Sequence, residues 1–165
     1  MTIAALAAAA GLSPGAISQM ESGVIQPSLT TLRRLASALD EPVFRLLLTP
    51  VSGRKVVVPR SERKVLALPG SDTRYELLTP DLGGQIEVME VRIAPGGVSA
   101  DSPLSHHGEE CIVILKGRAR LEVDGVVHNL RPGDAATFLG DLPHRIWSVG
   151  RGELVAISTI SPPSF

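Results

Sequence analysis

The sequence predicts an α + β chain of two modules: an all-helical module over residues 1–48, a basic linker over residues 49–64 and an all-β barrel over residues 65–165. Two changes along the chain indicate this. Apolar residues recur at helical spacing near the start, whereas short β-rich runs separated by Gly, Pro and Asp follow residue 65. The length of 165 residues suffices for two small modules, each with its own core.

The helices are predicted from their capping residues. Thr2 is the expected N-cap of a first helix that stops at Gly11, and Ser13 caps a second helix with Pro14 at its first position. Ser28 opens a third helix, LTTLRRLASALD, and a last turn or two, PVFRLLL, follows it. The residues expected on inward faces are Ile3, Leu6, Ala7, Ile17, Met20, Leu29, Leu32, Leu35, Ala36 and Leu39.

Seven short β-rich runs predict strands after residue 65. Asp124 and Gly125 are typical of a type I′ hairpin turn, and Pro132, Gly133 and Asp134 indicate a second turn. Many short strands with regular turns are typical of β-sandwiches and barrels. The predicted strand runs are RYELLT, IEVMEVRIA, ECIVILKG, RARLEV, AATFL, HRIWSV and LVAISTI.

Composition and charge narrow the class of protein. No apolar run is long enough to span a bilayer, and the first residues lack the basic segment of a signal peptide. The single cysteine, Cys111, rules out an internal disulfide framework, so we expect a cytoplasmic protein with no membrane partner. Residues 1–64 carry eight basic against four acidic side chains, a net +4, and residues 65–165 carry a net −5. A basic front half is typical of a module that faces a polyanion, although ordinary surface variation gives similar imbalances.

The first module resembles a known DNA-binding family. The stretch IAALAAAAGLSPGAISQMESGVIQPSLTTLRRLASALDEPVFRLL is similar to the helix-turn-helix domain of phage-repressor-like, xenobiotic-response-element regulators, most clearly in ISQMESG and PSLTTL. The resemblance implies that the second helix enters the major groove of double-stranded DNA. Gly15, Ala16 and Gln19 would then face base edges, with Ser18 and Ser22 nearer the phosphates. The residues implied in DNA binding are Thr2, Ser13, Pro14, Gly15, Ala16, Ser18, Gln19 and Ser22.

Elementary chemistry agrees with this assignment in part. Glutamine can bond adenine through two hydrogen bonds, and the helix N-termini at Thr2 and Ser13 favour phosphate. The alternative is a helical interaction module that has kept the fold and lost DNA binding. The family also has a helix before the one at Thr2, so the resemblance predicts an upstream start or an incomplete domain. Arg54 and Lys55 in the basic linker either contact the phosphate backbone or are simply solvated.

The second module resembles the cupin family through HHGEECIVILKGRARLEVDGVVHNLRPGDAATFLGDLPHRIWS, which implies a small double-stranded β-barrel over residues 65–165. Both cupin motifs occur in order, the first through His106 and Glu110 and the second through the PGD turn and His144. Metal-binding cupins use three histidines and one glutamate. By the resemblance, His106, Glu110 and His144 fill three ligand positions, and Leu104 replaces the first histidine.

Strand alternation gives an expectation for these side chains. Residues 104 and 106 face the same side of a strand, so Leu104 is expected to point into the barrel and His107 away from it. Two histidines and one carboxylate make a facial triad suited to Fe(II), and Zn, Mn and Ni are alternatives. With one ligand replaced, such an ion would be weakly held. The other interpretation is a vestigial site whose polar groups form a hydrogen-bonded network without metal.

Two functions of different class follow. The first is a sequence-specific transcription regulator, not an enzyme, that binds double-stranded DNA as a homodimer built mainly by residues 65–165 and senses a small-molecule effector in the barrel. The second is a mononuclear non-haem iron oxygenase or oxidase, resembling hydroxypropylphosphonate epoxidase in its helical-domain-plus-cupin layout. The sequence offers no convincing set of side chains to clamp a phosphonate, although Arg92, Arg118 and Arg120 are candidates to face the interior. The ISQMESG segment favours the regulator.

Overall fold

The computed structural model describes residues 1–47, 56–67 and 71–164, and the chain divides into two compact units, Met1–Thr49 and Pro50–Phe165. The described part of the first unit is helical, and that of the second is β-structure apart from one short 3-10 turn, Arg60–Glu62. The predicted α + β architecture of a helical module followed by a β-rich module is confirmed. Arg54 and Lys55 of the predicted linker lie outside the described residues.

The helices begin where their capping residues predict. The Oγ1 of Thr2 accepts a hydrogen bond from the N–H of Ala5, and the Oγ of Ser13 accepts one from Ala16. Gly11 closes the first helix with φ of 61°, a left-handed conformation that glycine adopts without strain. The four helices are α1 (Ile3–Ala10), α2 (Pro14–Glu21), α3 (Leu29–Leu39) and α4 (Val43–Leu47).

A small apolar cluster holds the helical unit together. It consists of Ala7, Ala10, Ile17 and Leu35, with partly buried apolar neighbours around them. Ile3 was expected on the inward face and is instead 44% exposed, because the cluster contacts α1 through Ala7 and Ala10 in the second half of the helix.

A polar contact also ties α3 to α1. The Nη2 of Arg34 donates to the carbonyl oxygen of Gly11 at 2.6 Å, and a cation is favourable at this C-terminal end of α1. Among the described helices, no single one is long and apolar enough to cross a membrane. The pair α1 and α2 together meet that length and composition, but they are bent by 109°.

The β unit consists of two antiparallel sheets. The larger sheet has the strand order β1-β2-β3-β9-β4-β7, and the smaller has the order β6-β5-β8. Two strands were missed by the sequence patterns: β1, whose first residue Lys64 was assigned to the linker, and β6, which follows the predicted turn at Asp124 and Gly125. The strands are β1 (Lys64–Ala67), β2 (Thr73–Leu77), β3 (Glu87–Ile93), β4 (Glu109–Lys116), β5 (Ala119–Val123), β6 (Val126–Leu130), β7 (Ala135–Leu139), β8 (His144–Ser148) and β9 (Leu154–Ser161).

Alternation along the strands builds the barrel core. Every second residue of β3 from Glu87 to Ile93 is buried, and Glu110, Ile112 and Ile114 are buried in the same way on β4. Most of these inward residues are apolar. The two glutamates, Glu87 and Glu110, lie in one row of the barrel wall, because each is paired across strands with Ile160 on β9. This row places carboxylates inside the barrel.

Candidate functional site

Three predicted ligands meet inside the barrel. Glu110 is the second residue of β4, His144 is the first residue of β8, and His106 lies in the segment that leads into β4. One ligand atom from each lies within 4.8 Å of the other two. The Oε2 of Glu110 is 2.9 Å from Nε2 of His106 and 3.4 Å from Nε2 of His144. The structure therefore brings all three together.

Glu110 is held as an ionised carboxylate. Its other oxygen, Oε1, accepts a hydrogen bond from the hydroxyl of Ser158 at 2.7 Å. Burial raises the pKa of Glu110, but hydrogen bonds and positive charge from His106 and His144 outweigh burial and hold the pKa well below its usual range. Because Ser158 occupies Oε1, one oxygen of Glu110 faces the two histidines.

The histidine tautomers are fixed from outside the site. The Nδ1 of His106 lies 2.9 Å from the carbonyl oxygen of His107, and the Nδ1 of His144 lies 2.7 Å from that of Leu142. A carbonyl oxygen can only accept, so each Nδ1 carries a proton and donates. In a neutral imidazole the Nε2 then presents its lone pair. Loss of the Nε2 protons that donate to Glu110 would thus leave two lone pairs and one carboxylate oxygen facing a common point, where a cation fits.

This donor set fits a divalent metal ion. Ligand atoms about 2.1 Å from a common ion lie about 3.0 Å apart at a 90° angle and about 3.4 Å apart at the tetrahedral angle. The separations of Oε2 of Glu110 from Nε2 of His106 and from Nε2 of His144, 2.9 and 3.4 Å, fall at these values. Protons on both Nε2 atoms would satisfy the same oxygen, which is the hydrogen-bonded alternative without metal.

Leu104 stands beside the ligands, as the strand alternation predicts. It exchanges two backbone hydrogen bonds of 2.8 Å with His144, and residues paired in this way project to the same face of a sheet. The ring of Phe138 lies 4.9 Å from that of His144. In contrast, the side chain of His107 is 80% exposed and lies 3.5 Å from Asp141, so His107 does not join the site. Leu104 and Phe138 therefore place apolar groups next to His144.

The predicted DNA-binding residues lie on the described surface of α1 and α2. Gly15, Ser18, Gln19 and Ser22 are exposed at helical spacing, so they form a stripe along one face of α2. Several hydroxyls are already engaged with their own helices: Thr2 and Ser13 cap α1 and α2, and Ser22 donates to the carbonyl of Ser18. Thr2, Ser13 and Pro14 are exposed, and Ala16 is half-buried.

The three arginines proposed to clamp a phosphonate do not face the barrel interior. Arg92 projects from the outer face of β3 and pairs with Glu90 and with Glu153, the latter at 3.0 Å. Arg118 and Arg120 flank the buried Ala119 and are exposed. Arg92 and Arg120 alternate with buried residues on β3 and β5, so they point outward, and Arg118 is exposed just before β5 begins. The expectation that they turn inward is wrong.

Sequence reasoning missed two polar residues inside the barrel, Ser158 and Glu87. Ser158 occupies an inward position between the buried Ala156 and Ile160, and Glu87 does the same on β3. The sequence did contain a signal for both: each polar residue occupies a strand position that alternates with inward-facing apolar residues. Sequence reasoning also missed the role of Gly140. A Cβ at this position would lie 2.5 Å from Nδ1 of His106, so only glycine leaves room for the His106 ring.

The fold and the site define a two-domain protein, a helical domain of DNA-binding type followed by a β-barrel with a convergent ligand set. A helix-turn-helix family model matches residues 1–46, and a cupin domain model matches residues 89–160. The chain thus pairs a helix-turn-helix domain with a cupin domain, and its sequence is similar over most of its length to HTH-type transcriptional regulators.

Individual relatives share this layout. The chain is 26% identical over 144 residues to the HTH-type transcriptional regulator SutR of Escherichia coli, covering 87% of this chain and 76% of the relative. A crystal structure of an HTH_3 family transcriptional regulator from Vibrio cholerae matches with a TM-score of 0.75 and 22% identity, over 98% of this chain and 86% of that one. Hydroxypropylphosphonic acid epoxidase from S. wedmorenis matches with a TM-score of 0.54 and 22% identity, over 97% of this chain and 89% of that one. These structural matches describe the fold.

Proposed function

We propose that this protein is a sequence-specific DNA-binding transcriptional regulator whose barrel binds a small-molecule effector through a weakly held divalent metal. One observation carries the proposal: a chain similar to such regulators has both an exposed stripe of the recognition type on α2 and a convergent His106–Glu110–His144 set. The metal would be Fe, Zn, Mn or Ni, since two imidazoles and a carboxylate suit all four.

The residues around the ligand set define what the effector would meet. A bound metal would supply open coordination positions for one donor atom of the effector. Leu104 pairs with His144 at the position where the cupin resemblance implies a fourth ligand, and the ring of Phe138 lies 4.9 Å from that of His144. An effector with a donor atom and a small apolar body fits these surroundings. The effector would change DNA affinity only if it binds the DNA-binding state and the other state of the protein with different affinities, and the ratio of those affinities limits the change.

We also propose a homodimer formed mainly by the barrel, since regulators of this type read two half-sites. The outer face of the larger sheet supports this, because Val88, Cys111, Val113 and Ile157 are partly exposed there on three adjacent strands. A dimeric mass at micromolar concentration is expected, and Val113→Lys should weaken it. The control is Val127→Lys on the exposed β6 strand; a monomeric wild type contradicts the proposal.

The test of DNA recognition is selection of a duplex from a random library, followed by fluorescence anisotropy with the selected sequence. We expect specific binding that changes when metal is added or removed. Wild-type protein that shows no duplex affinity even at low salt would refute the regulator, because electrostatic contacts are strongest there.

A mononuclear iron oxygenase or oxidase is the second candidate. The observation that favours it is the convergence of two histidines and one glutamate, the ligand types of a facial triad, together with a fold like that of the epoxidase. The outward orientation of Arg92, Arg118 and Arg120 argues against a phosphonate substrate. Iron that resists chelation and couples to oxygen consumption would favour the enzyme.

A further inference from the structure

The C-terminal segment reaches the candidate metal site through Ser164. The hydroxyl of Ser164 donates to the carbonyl of His107 at 2.6 Å, and its oxygen lies 3.1 Å from Nδ1 of His106. Because that Nδ1 carries one proton, the N–H is shared between the carbonyl oxygen of His107 and the oxygen of Ser164, which both accept from it. Ser164 therefore contacts both groups that set the orientation of the His106 ring.

The segment that carries Ser164 is anchored inside the barrel. Glu87 is completely buried on the inner face of β3, and its Oε2 accepts a hydrogen bond from the backbone N–H of Ser164 at 3.1 Å. A hydrogen bond from a backbone N–H to an ionised carboxylate is charge-assisted, so this contact helps to hold the backbone of Ser164 in place. The side chain of Ser164 is held against His106 as a result.

We propose that Ser164 is a positioning residue that holds the Nε2 of His106 toward Glu110 and so tightens metal binding. This inference rests on the metal-binding part of the proposed function. Loss of an outer hydrogen-bond partner of a metal-bound histidine typically weakens metal affinity about 10–100-fold. The carbonyl of His107 remains as a partner of His106 when the Ser164 hydroxyl is removed. We therefore expect a loss of metal affinity near the lower end of that range, about tenfold.

The experiment measures two properties of the full chain. Zinc affinity is obtained by competition with a chromophoric chelator, and the tautomer of each imidazole is read from long-range ¹⁵N NMR spectra of metal-free protein. The variants are Ser164→Ala, which removes the hydroxyl, and Ser164→Thr, which restores one. The matched control is Ser105→Ala, since Ser105 is an exposed serine adjacent to His106 in the chain.

We expect Ser164→Ala to bind zinc about tenfold more weakly and to change the His106 tautomer signal, with Ser164→Thr and Ser105→Ala close to wild type. Unchanged affinity and an unchanged His106 signal in Ser164→Ala would overturn the proposal, and so would an equal loss in Ser105→Ala. If wild-type protein binds no zinc, the metal part of the proposed function fails by itself. The NMR comparison of metal-free Ser164→Ala with Ser105→Ala then decides the role of Ser164.

Discussion

Replacing Leu104 with histidine should restore a fourth ligand and tighten metal binding. Leu104 and His144 form a hydrogen-bonded antiparallel pair, in which Cα atoms lie about 5.5 Å apart and side chains share a face. A histidine at position 104 would therefore stand directly beside the ring of His144. It would also be on the same side as Glu110, whose Oε2 lies 3.4 Å from Nε2 of His144.

The size of the gain follows from the number of ligands. A four-ligand structural zinc site gains about 10–16 kcal/mol in total, so one ligand contributes about 3 kcal/mol. Ordering a new side chain costs about 1 kcal/mol. The net gain of about 2 kcal/mol corresponds to zinc binding about 30-fold tighter in Leu104→His than in the wild type.

The assay is chelator competition with zinc, supported by elemental analysis after mild chelation. We expect partial, easily stripped metal in the wild type and retained metal in Leu104→His. Ser105→His is the control, because residue 105 is exposed and its new imidazole should leave zinc affinity unchanged. Equal absence of metal from the wild type and Leu104→His would refute the reasoning and leave the barrel as an effector cavity alone.

Three further predictions test other parts of the molecule. Gly140→Ala should weaken zinc binding at least about tenfold, because the added Cβ would lie 2.5 Å from Nδ1 of His106; the same titration measures it. Gln19→Ala should cost about 1–3 kcal/mol of operator binding and relax preference at one base pair, measured by anisotropy against single-base operator variants. Burial opposes ionisation of Glu76, but Arg74 and Arg63 hold the pKa of Glu76 below its ordinary value of 4.5. The stabilisation that ionised Glu76 contributes is therefore present above pH 4.5 and is lost as the pH falls further. We expect Glu76→Gln to lower the free energy of unfolding by about 1 kcal/mol at pH 7 and by less at pH 3, as measured by urea denaturation.

Local patterns were sufficient for the helices and for most strands. Caps such as Thr2, Ser13 and Ser28 act within three residues of the chain, so their sequence position fixes their structural role. The strand β1 was missed because KVLA is short and begins with a basic residue that continued the linker's composition. Ile3 was misplaced because helical spacing identifies a face but does not tell how far along that face the neighbouring helices extend.

The ligand set could be anticipated from the cupin resemblance, whereas the groups that support it could not. Ser158 is 48 residues from Glu110, and Ser164 is 58 residues from His106, so the fold has to be known before either contact is visible. The outward direction of Arg92 was in principle readable, since Met89, Val91 and Ile93 define the inward phase of β3. The contacts of Arg92 with Glu90 and Glu153 required coordinates.

The hydrogen bond from Arg34 to Gly11 bears on how an operator complex would respond to ionic strength. Residues 1–47 contain three basic side chains, Arg33, Arg34 and Arg45, against three acidic ones, and Arg34 is engaged with the end of α1. Few phosphate charges would be neutralised by this unit, so few counterions would be released on binding and affinity would fall only gently as salt rises. A steep salt dependence of operator binding would therefore point to basic side chains outside residues 1–47, such as Arg54 and Lys55.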